Sequence, residues 1–448
     1  MGVRKENSTS YVHIDEPNVL NVHKAMEYNA AGEPVLRVSG SGTSAYQSSG
    51  NISGSTDAFG RLRVSEPVTL FDSSHRFSDN ALWAEDNTGG GSSAFVANEG
   101  LINLSVGATA NDEVIRETKK VFSYQPGKSL LVMNTFVMNS AKAGLRQRVG
   151  YFGADNGIYI EQDGTTINLV KRSKVTGSVV DTQVAQSNWN VDKLDGTGVS
   201  GINLDLSKAQ IFWMDVEWLG VGSVRCGFVI NGQFVVCHIF HHANIETSTY
   251  ITTASLPIRY EITNTAGTAG ASTLKQICST VLSEGGYTLT GGVKDIQTPL
   301  ATPYNLILAD TYYPVISIRL KSSRLDAVAI LSGLSIIGLS NNANYQWKII
   351  KGGTTTGGAW TSGGADCSID YNITGTSFTS NGYTLAQGWF QGSNQGSTPA
   401  NVLKEALFKL QLERDTFTST PYEMTLVVGC DTATSGVYAG LNWEEITR

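Results

Sequence analysis

Asn231-Gly232, set between two runs of β-branched and aromatic residues, constrains this chain more than any other pair in it. Both central positions of a two-residue type I′ turn need positive φ, which Asn and Gly tolerate, so Val224–Ile230 and Gln233–Phe240 are predicted to form an antiparallel hairpin. The turn also sets the register. Ile230 should face Gln233, Val229 should face Phe234 and, further out, Cys226 should face Cys237. Upstream, the glycine-containing turn 219–223 leads back to a third strand at 211–218. Three strands that are each apolar on at least one face imply a large antiparallel sheet.

A chain of 448 residues exceeds what one hydrophobic core usually serves, so two domains or more are expected. Only 16% of the residues are charged, against roughly 25% in typical soluble proteins, and Ser, Thr, Asn and Gly fill the deficit. That balance suits exported or particle-borne β proteins better than cytosolic enzymes. The net charge of −7 gives no electrostatic footprint for nucleic acid, and the short basic clusters at 119–120, 171–174 and 319–324 lie far apart. Five cysteines without a C-x-x-C spacing argue against a disulfide framework. Cys226 and Cys237 are opposed within bridging reach, so a bridge is sterically possible there, but buried thiols acting as small hydrophobes are the favoured reading. The N-terminus lacks the apolar stretch of a secretory signal, so synthesis and folding in a host cytoplasm are expected. The apolar run 327–340 falls short of the ~20 residues of a bilayer span and reads as core, not as membrane insertion.

Residues 1–56 read as an N-terminal arm ending in a Ser/Gly-rich linker at 39–55. Leu-Arg-Val-Ser occurs at 36–39 and again at 62–65, which suggests short strands able to add to a sheet edge, in this subunit or a neighbour. A disordered tail is the alternative. From 57 onward, strands and turn signals alternate regularly, as in a β-sandwich. We place one sandwich at 57–295 and a second, smaller one at 296–448. In 401–414, Phe408, Leu410 and Leu412 alternate with Lys409, Gln411 and Glu413, so period two and a strand fit better than a helix.

Several strings resemble uncharacterised virion structural proteins of tailed bacteriophages, marine ones especially. They are DAFGRLRVSEPVTLFDS at 57–73, DKLDGTGVSG at 192–201 and WLGVGSVRCGFVINGQFVVCHIFHHAN at 218–244. SIRLKSSR at 317–324, SIDYNITGT at 368–376 and LNWEEIT at 441–447 extend the resemblance along nearly the whole chain from 57. It implies a phage particle component whose first domain is a concanavalin-like, jelly-roll sandwich. It implies no catalytic residue.

Concanavalin-like glycosidases carry E-x-D-x-E on one strand, because alternate residues share a face and bring nucleophile and acid together. Asp215 and Glu217 match the later positions, but Trp213 stands where the first glutamate belongs. In a regular strand Cys237 and His241 face one way while His238 and His242 face the other, so no face collects a zinc set. Asn190, Asp192 and Asp195 offer oxygens for calcium without EF-hand spacing, and Asx turns account for the same residues. Gly127-Lys128-Ser129 lacks the earlier glycine of a phosphate loop, since Phe122 occupies that place. Trp83, Trp189 and Trp360 fall in expected loops and are candidates for contact with glycan or with a protein partner.

The expectation is therefore an all-β, two-sandwich homo-oligomer on the exterior of a virion, in contact with other virion proteins, without enzymatic activity or cofactor. A tail-fibre or adhesin type touching host surface glycan leads. Capsid decoration anchored by the arm is the first alternative, and a polysaccharide depolymerase the second.

Overall fold

In the computed structural model, backbone strands are described at 3–6, 9–12, 24–28 and 34–38, and the chain is described at 66–267, 269–287, 291–392, 398–399 and 411–446. Met1–Val64 forms one unit, in which Val3–Glu6 pairs with Thr9–Val12 and Lys24–Tyr28 with Pro34–Val38. The expected linker at 39–55 and the second Leu-Arg-Val-Ser lie outside the described residues. The unit ends at Val64, later than the change of composition at 56–57.

Ser65–Arg448 is the second unit and holds two antiparallel sandwiches. In the first, one sheet runs Gln233–Phe240, Val224–Ile230, Gln210–Val216, Leu130–Val137, Ser272–Ser283, Leu101–Val106 and Ser92–Val96, with Val68–Ser74 also paired to Ser272–Ser283. We call it the meander sheet. The facing sheet runs Val180–Ala185, Thr166–Ser173, Gly157–Asp163, Leu145–Phe152, Ile258–Asn264, Glu113–Thr118 and Trp83–Thr88. Strand alternation makes the core: along Leu130–Val137 every second residue is buried, and Val132 and Phe136 meet Val149 and Ile160 of the facing sheet in one apolar cluster. The fold is all-β, as expected, with antiparallel sheets packed as sandwiches and no α-helix among the described residues.

The hairpin forms at the expected turn, with Asn231 at φ 52° and Gly232 at φ 77°, Ile230 facing Gln233 and Val229 facing Phe234. Beyond that the register shifts. A bulge next to Gly227 puts His238, not Cys237, opposite Cys226. The extra residue lets Cys237 and Phe240 both turn into the core, whereas strict alternation would send Phe240 outward. All five cysteines are free thiols.

The second sandwich pairs Gly292–Gln297, Ser435–Ile446 and Val328–Gly338, the last two also carrying the short strands Tyr304–Leu306, Thr398–Pro399 and Gln411–Leu412. Opposite lies the sheet Thr361–Ser362, Ile369–Asn372, Tyr313–Leu320, Glu423–Cys430, Asn344–Lys351 and Tyr383–Gln391. Gly292–Gln297 crosses the expected boundary at 295, because its partner strand belongs to the second sandwich. The run at 327–340 is a core strand, and no helix among the described residues is long and apolar enough to cross a membrane. Of 401–414, residues 401–410 lie outside the described residues and Gln411–Leu412 is strand. The sandwiches meet where Val121 packs on Val328 and Ile330. There the Val121 N–H donates to Glu413 Oε2 (3.2 Å), and Lys351 Nζ donates to Glu413 Oε1 (2.5 Å).

Candidate functional site

The outer face of the meander sheet carries a cleft of about 560 Å³, lined among others by Tyr124, Lys128, Asp215, Glu217, Arg225 and His241. Asp215 and Glu217 reach it together because they alternate along one strand, as the sequence predicts. Asp215 is only 7% exposed and is tied to Arg225, its directly opposed neighbour, whose Nε donates to Asp215 Oδ2 at 2.8 Å. Glu217 accepts from the Ser223 N–H at 3.3 Å, closing the turn below it. Trp213, in the place of the missing glutamate, is buried beside Phe234 with ring centroids 5.3 Å apart. One carboxylate of the cleft is thus neutralised by a cation, and an indole fills the nucleophile's place. The acid–base pair that glycoside hydrolysis needs is not assembled here.

The neighbouring histidines serve the fold separately. His238 Nδ1 accepts from the Asn190 N–H (3.2 Å), and burial drives its pKa down to about 4, with His241 adding repulsion. His242 stacks on Tyr250 (3.9 Å) with Nδ1 2.6 Å from the Gly222 carbonyl, and burial lowers its pKa despite that bond. His241 lines the cleft beside Ile239, while the bulge has turned Cys237 to the other side, which corrects the expected pairing of Cys237 with His241 on one face. No cluster of three metal-ligating side chains occurs among the described residues.

The calcium candidates diverge. Asp192 is buried and accepts from the N–H groups of Leu194 (2.9 Å) and Ser200 (2.7 Å). Asp195 is spent on the N–H and hydroxyl of Thr197 (2.9 and 2.6 Å). Asn190 donates to the Ile239 carbonyl and accepts from its N–H (2.9 and 2.8 Å), extending the hairpin's outer strand as a backbone would. These side chains shape a loop through Asx chemistry instead of converging on a point.

Two of the three candidate tryptophans are in the core. Trp83 begins a strand, packs edge-on against Phe71 and Tyr260, and donates from Nε1 to Ser73 Oγ (2.9 Å). Trp189 is buried and donates to the Val184 carbonyl (3.1 Å). Neither is available for ligand contact, because each indole is buried in the core of the first sandwich. Trp360 is half-buried with the Arg319 guanidinium 4.0 Å from its ring centroid.

A charged lattice on the outer face of the facing sheet escapes sequence reading. Arg148 donates to Glu161 (2.7 Å) and Glu261 (3.1 Å), Arg259 to Glu261 (3.0 Å), and Arg172 to both oxygens of Asp181 (2.8 and 2.9 Å). Tyr159 and Phe152 lie beneath the guanidinium groups. Burial alone would raise the Glu261 pKa, yet Arg259, Arg148 and Arg146 outweigh it and hold the carboxyl below its usual range. Each of these charges has an opposite partner, so the lattice ties neighbouring strands together.

No protein-family model matches the chain, and no curated protein matches it. Several solved structures are similar in fold. A β-1,3-1,4-glucanase (lichenase) derived from a mouse hindgut metagenome is 13% identical, with 48% of this chain and 99% of that one covered and a TM-score of 0.31. Peanut lectin is 13% identical over 50% of this chain and 100% of its own, at a TM-score of 0.29. The CBM2 module of the Lactobacillus casei BL23 phage J-1 evolved Dit is 7% identical over 50% and 100%, at 0.32. The likeness is one of sandwich architecture and bears on neither activity nor ligand.

Proposed function

We propose that the protein is a non-enzymatic structural component of a bacteriophage virion, exposed on the particle, of tail-fibre or adhesin type and in contact with host surface glycan. The observation that carries the non-enzymatic part is the Asp215–Arg225 ion pair in the meander cleft beside a buried Trp213, which leaves the would-be hydrolase site without its carboxylate pair. Low charge, a Ser/Thr/Gly-rich composition and the virion-like strings at 57–73 and 218–244 support the particle assignment.

The depolymerase alternative is tested by incubating the full chain with polysaccharide of the host surface and assaying for new reducing ends. We expect none above the background of Asp215→Asn and Glu217→Gln variants. Release by the unaltered chain that either variant abolishes would overturn the reading. Fractionation of disrupted particles separates the structural alternatives: recovery with purified tails is expected, and recovery with heads would favour capsid decoration.

A further inference from the structure

The second sandwich carries a larger cleft, of about 770 Å³, on the outer face of the sheet that holds Asn344–Lys351, Glu423–Cys430 and Tyr383–Gln391. Strand register builds it. Trp389, Gln346 and Gly429 are directly opposed on three adjacent strands, so they form one row about 10 Å long, two strand spacings. The glycine is the floor: a Cβ there would lie 3.2 Å from the ring of Tyr312, which stands over it as a wall. Tyr312 is held from two directions, by its hydroxyl bond to Gln346 Oε1 and by the Lys348 ammonium 4.2 Å from its ring centroid. At the other end Trp389 is 68% exposed on the outer face of Tyr383–Gln391, an indole left in water where the opposite face of the same strand packs Phe390 on Tyr345. An exposed indole beside a formed cavity is a surface waiting for an apolar partner of matching shape.

The remaining lining is polar and oriented. Asp431 accepts from both the backbone and the side-chain amide of Asn344 (3.0 and 2.7 Å), and Gln391 and Asp310 complete the rim. The charged residues lining the cleft are carboxylates, with no lysine or arginine among them. We propose that this cleft binds a neutral saccharide, one pyranose laying its C–H face on Trp389 while its hydroxyls bond the amides and carboxylates along the Gln346 row. A sugar ring combines the two things the lining offers, an apolar face for stacking and a periphery of hydroxyls that both donate and accept. The two rim carboxylates disfavour sialylated or phosphorylated glycans. This site deepens the glycan-contact reading above and rests on it, and it lies in a different sandwich from the Trp83, Trp189 and meander-cleft positions.

The test is titration of the full chain, followed by tryptophan emission, with neutral hexaoses of glucose, galactose, mannose and N-acetylglucosamine, and with sialyllactose as the anionic probe. At least one neutral hexaose should give a saturable shift at concentrations up to about 10 mM, and sialyllactose none. Trp389→Ala should weaken that binding by about tenfold or more, while Trp389→Phe, which keeps an aromatic platform, recovers part of it. Unchanged melting of both variants guards against misfolding, and the exposure of Trp389 makes it the expected result. Because Trp389→Ala removes an emitter, its affinity is read by calorimetry. Neutral binding that Trp389→Ala leaves intact would overturn this site and spare the glycan-contact reading. No binding of any probe, neutral or sialylated, would overturn both, without touching the virion assignment. A preference for sialyllactose would overturn the ligand class, and loss of Trp389→Ala protein from assembled particles, without saccharide binding, would make the cleft an assembly contact instead.

Discussion

Asp215 shows how one neighbour decides what a residue can do. Its position on the strand suits a glycosidase, yet the cross-strand Arg225 takes its charge. Replacing Arg225 with Met should leave a buried carboxylate without its cation and cost about 1–3 kcal/mol, less than for a fully buried pair because Arg225 is half in solvent. Chemical denaturation measures that, and a variant as stable as the parent would contradict it. The histidines make a second prediction, in pH. His75, buried beside Trp83 with ring centroids 6.2 Å apart, and His238 titrate at about 4 in the folded chain, in both cases chiefly through burial, against about 6.5 when unfolded. The unfolded chain therefore takes up protons first, and stability should fall as pH drops from about 6.5 to about 4. Glu261, lowered in the fold, contributes stability that is present above its unfolded value and is lost only as pH falls through the lower, folded one. Denaturation midpoints between pH 7 and 4 should decline, and His238→Gln should flatten the decline. Glu113 and Glu117, raised by burial, work in the opposite sense. The readout is therefore the difference between the parent and His238→Gln profiles, and parallel profiles would contradict the burial of His238. At this scale little was legible in the sequence. Trp83 and Trp189 sit among turn signals yet close the core. The Arg148–Glu261 contact joins residues 113 positions apart, which no local pattern marks.

Elements were more legible, because turn chemistry and alternation are local. Asn231-Gly232 specified its turn and the first pairs beside it. The bulge was not legible, since it depends on tertiary contact: a Cβ on Gly227 would lie 2.1 Å from the Val235 carbonyl and 2.9 Å from the Trp213 indole. Gly227→Ala should accordingly cost about 1–3 kcal/mol by overpacking, where an alanine at an open turn glycine would act only through φ. A neutral result would mean the bulged strand can shift. The junction between the sandwiches offers a second test at this scale. Glu413→Gln keeps shape but leaves the buried Lys351 ammonium without its counter-charge, and about 3 kcal/mol of destabilisation is expected. A single unfolding transition that splits into two in this variant would identify the junction as what makes the sandwiches unfold together.

For the whole molecule, the all-β class and the succession of two sandwiches follow from strand spacing and turn signals, with the second sandwich beginning by Gly292, ahead of the expected 296. Function is the least local property and was the least legible. The meander cleft was marked by its carboxylates, whereas the Tyr312–Trp389 cleft gathers residues from three separate strands and two loops, with no motif in any of them. The central claim, a binding component displayed on a phage particle, is tested most directly by electron microscopy of intact virions of the encoding phage, labelled with gold-conjugated antibody against the chain. Label on the tail fibres is predicted; label confined to the heads, or particles that carry none, would contradict it.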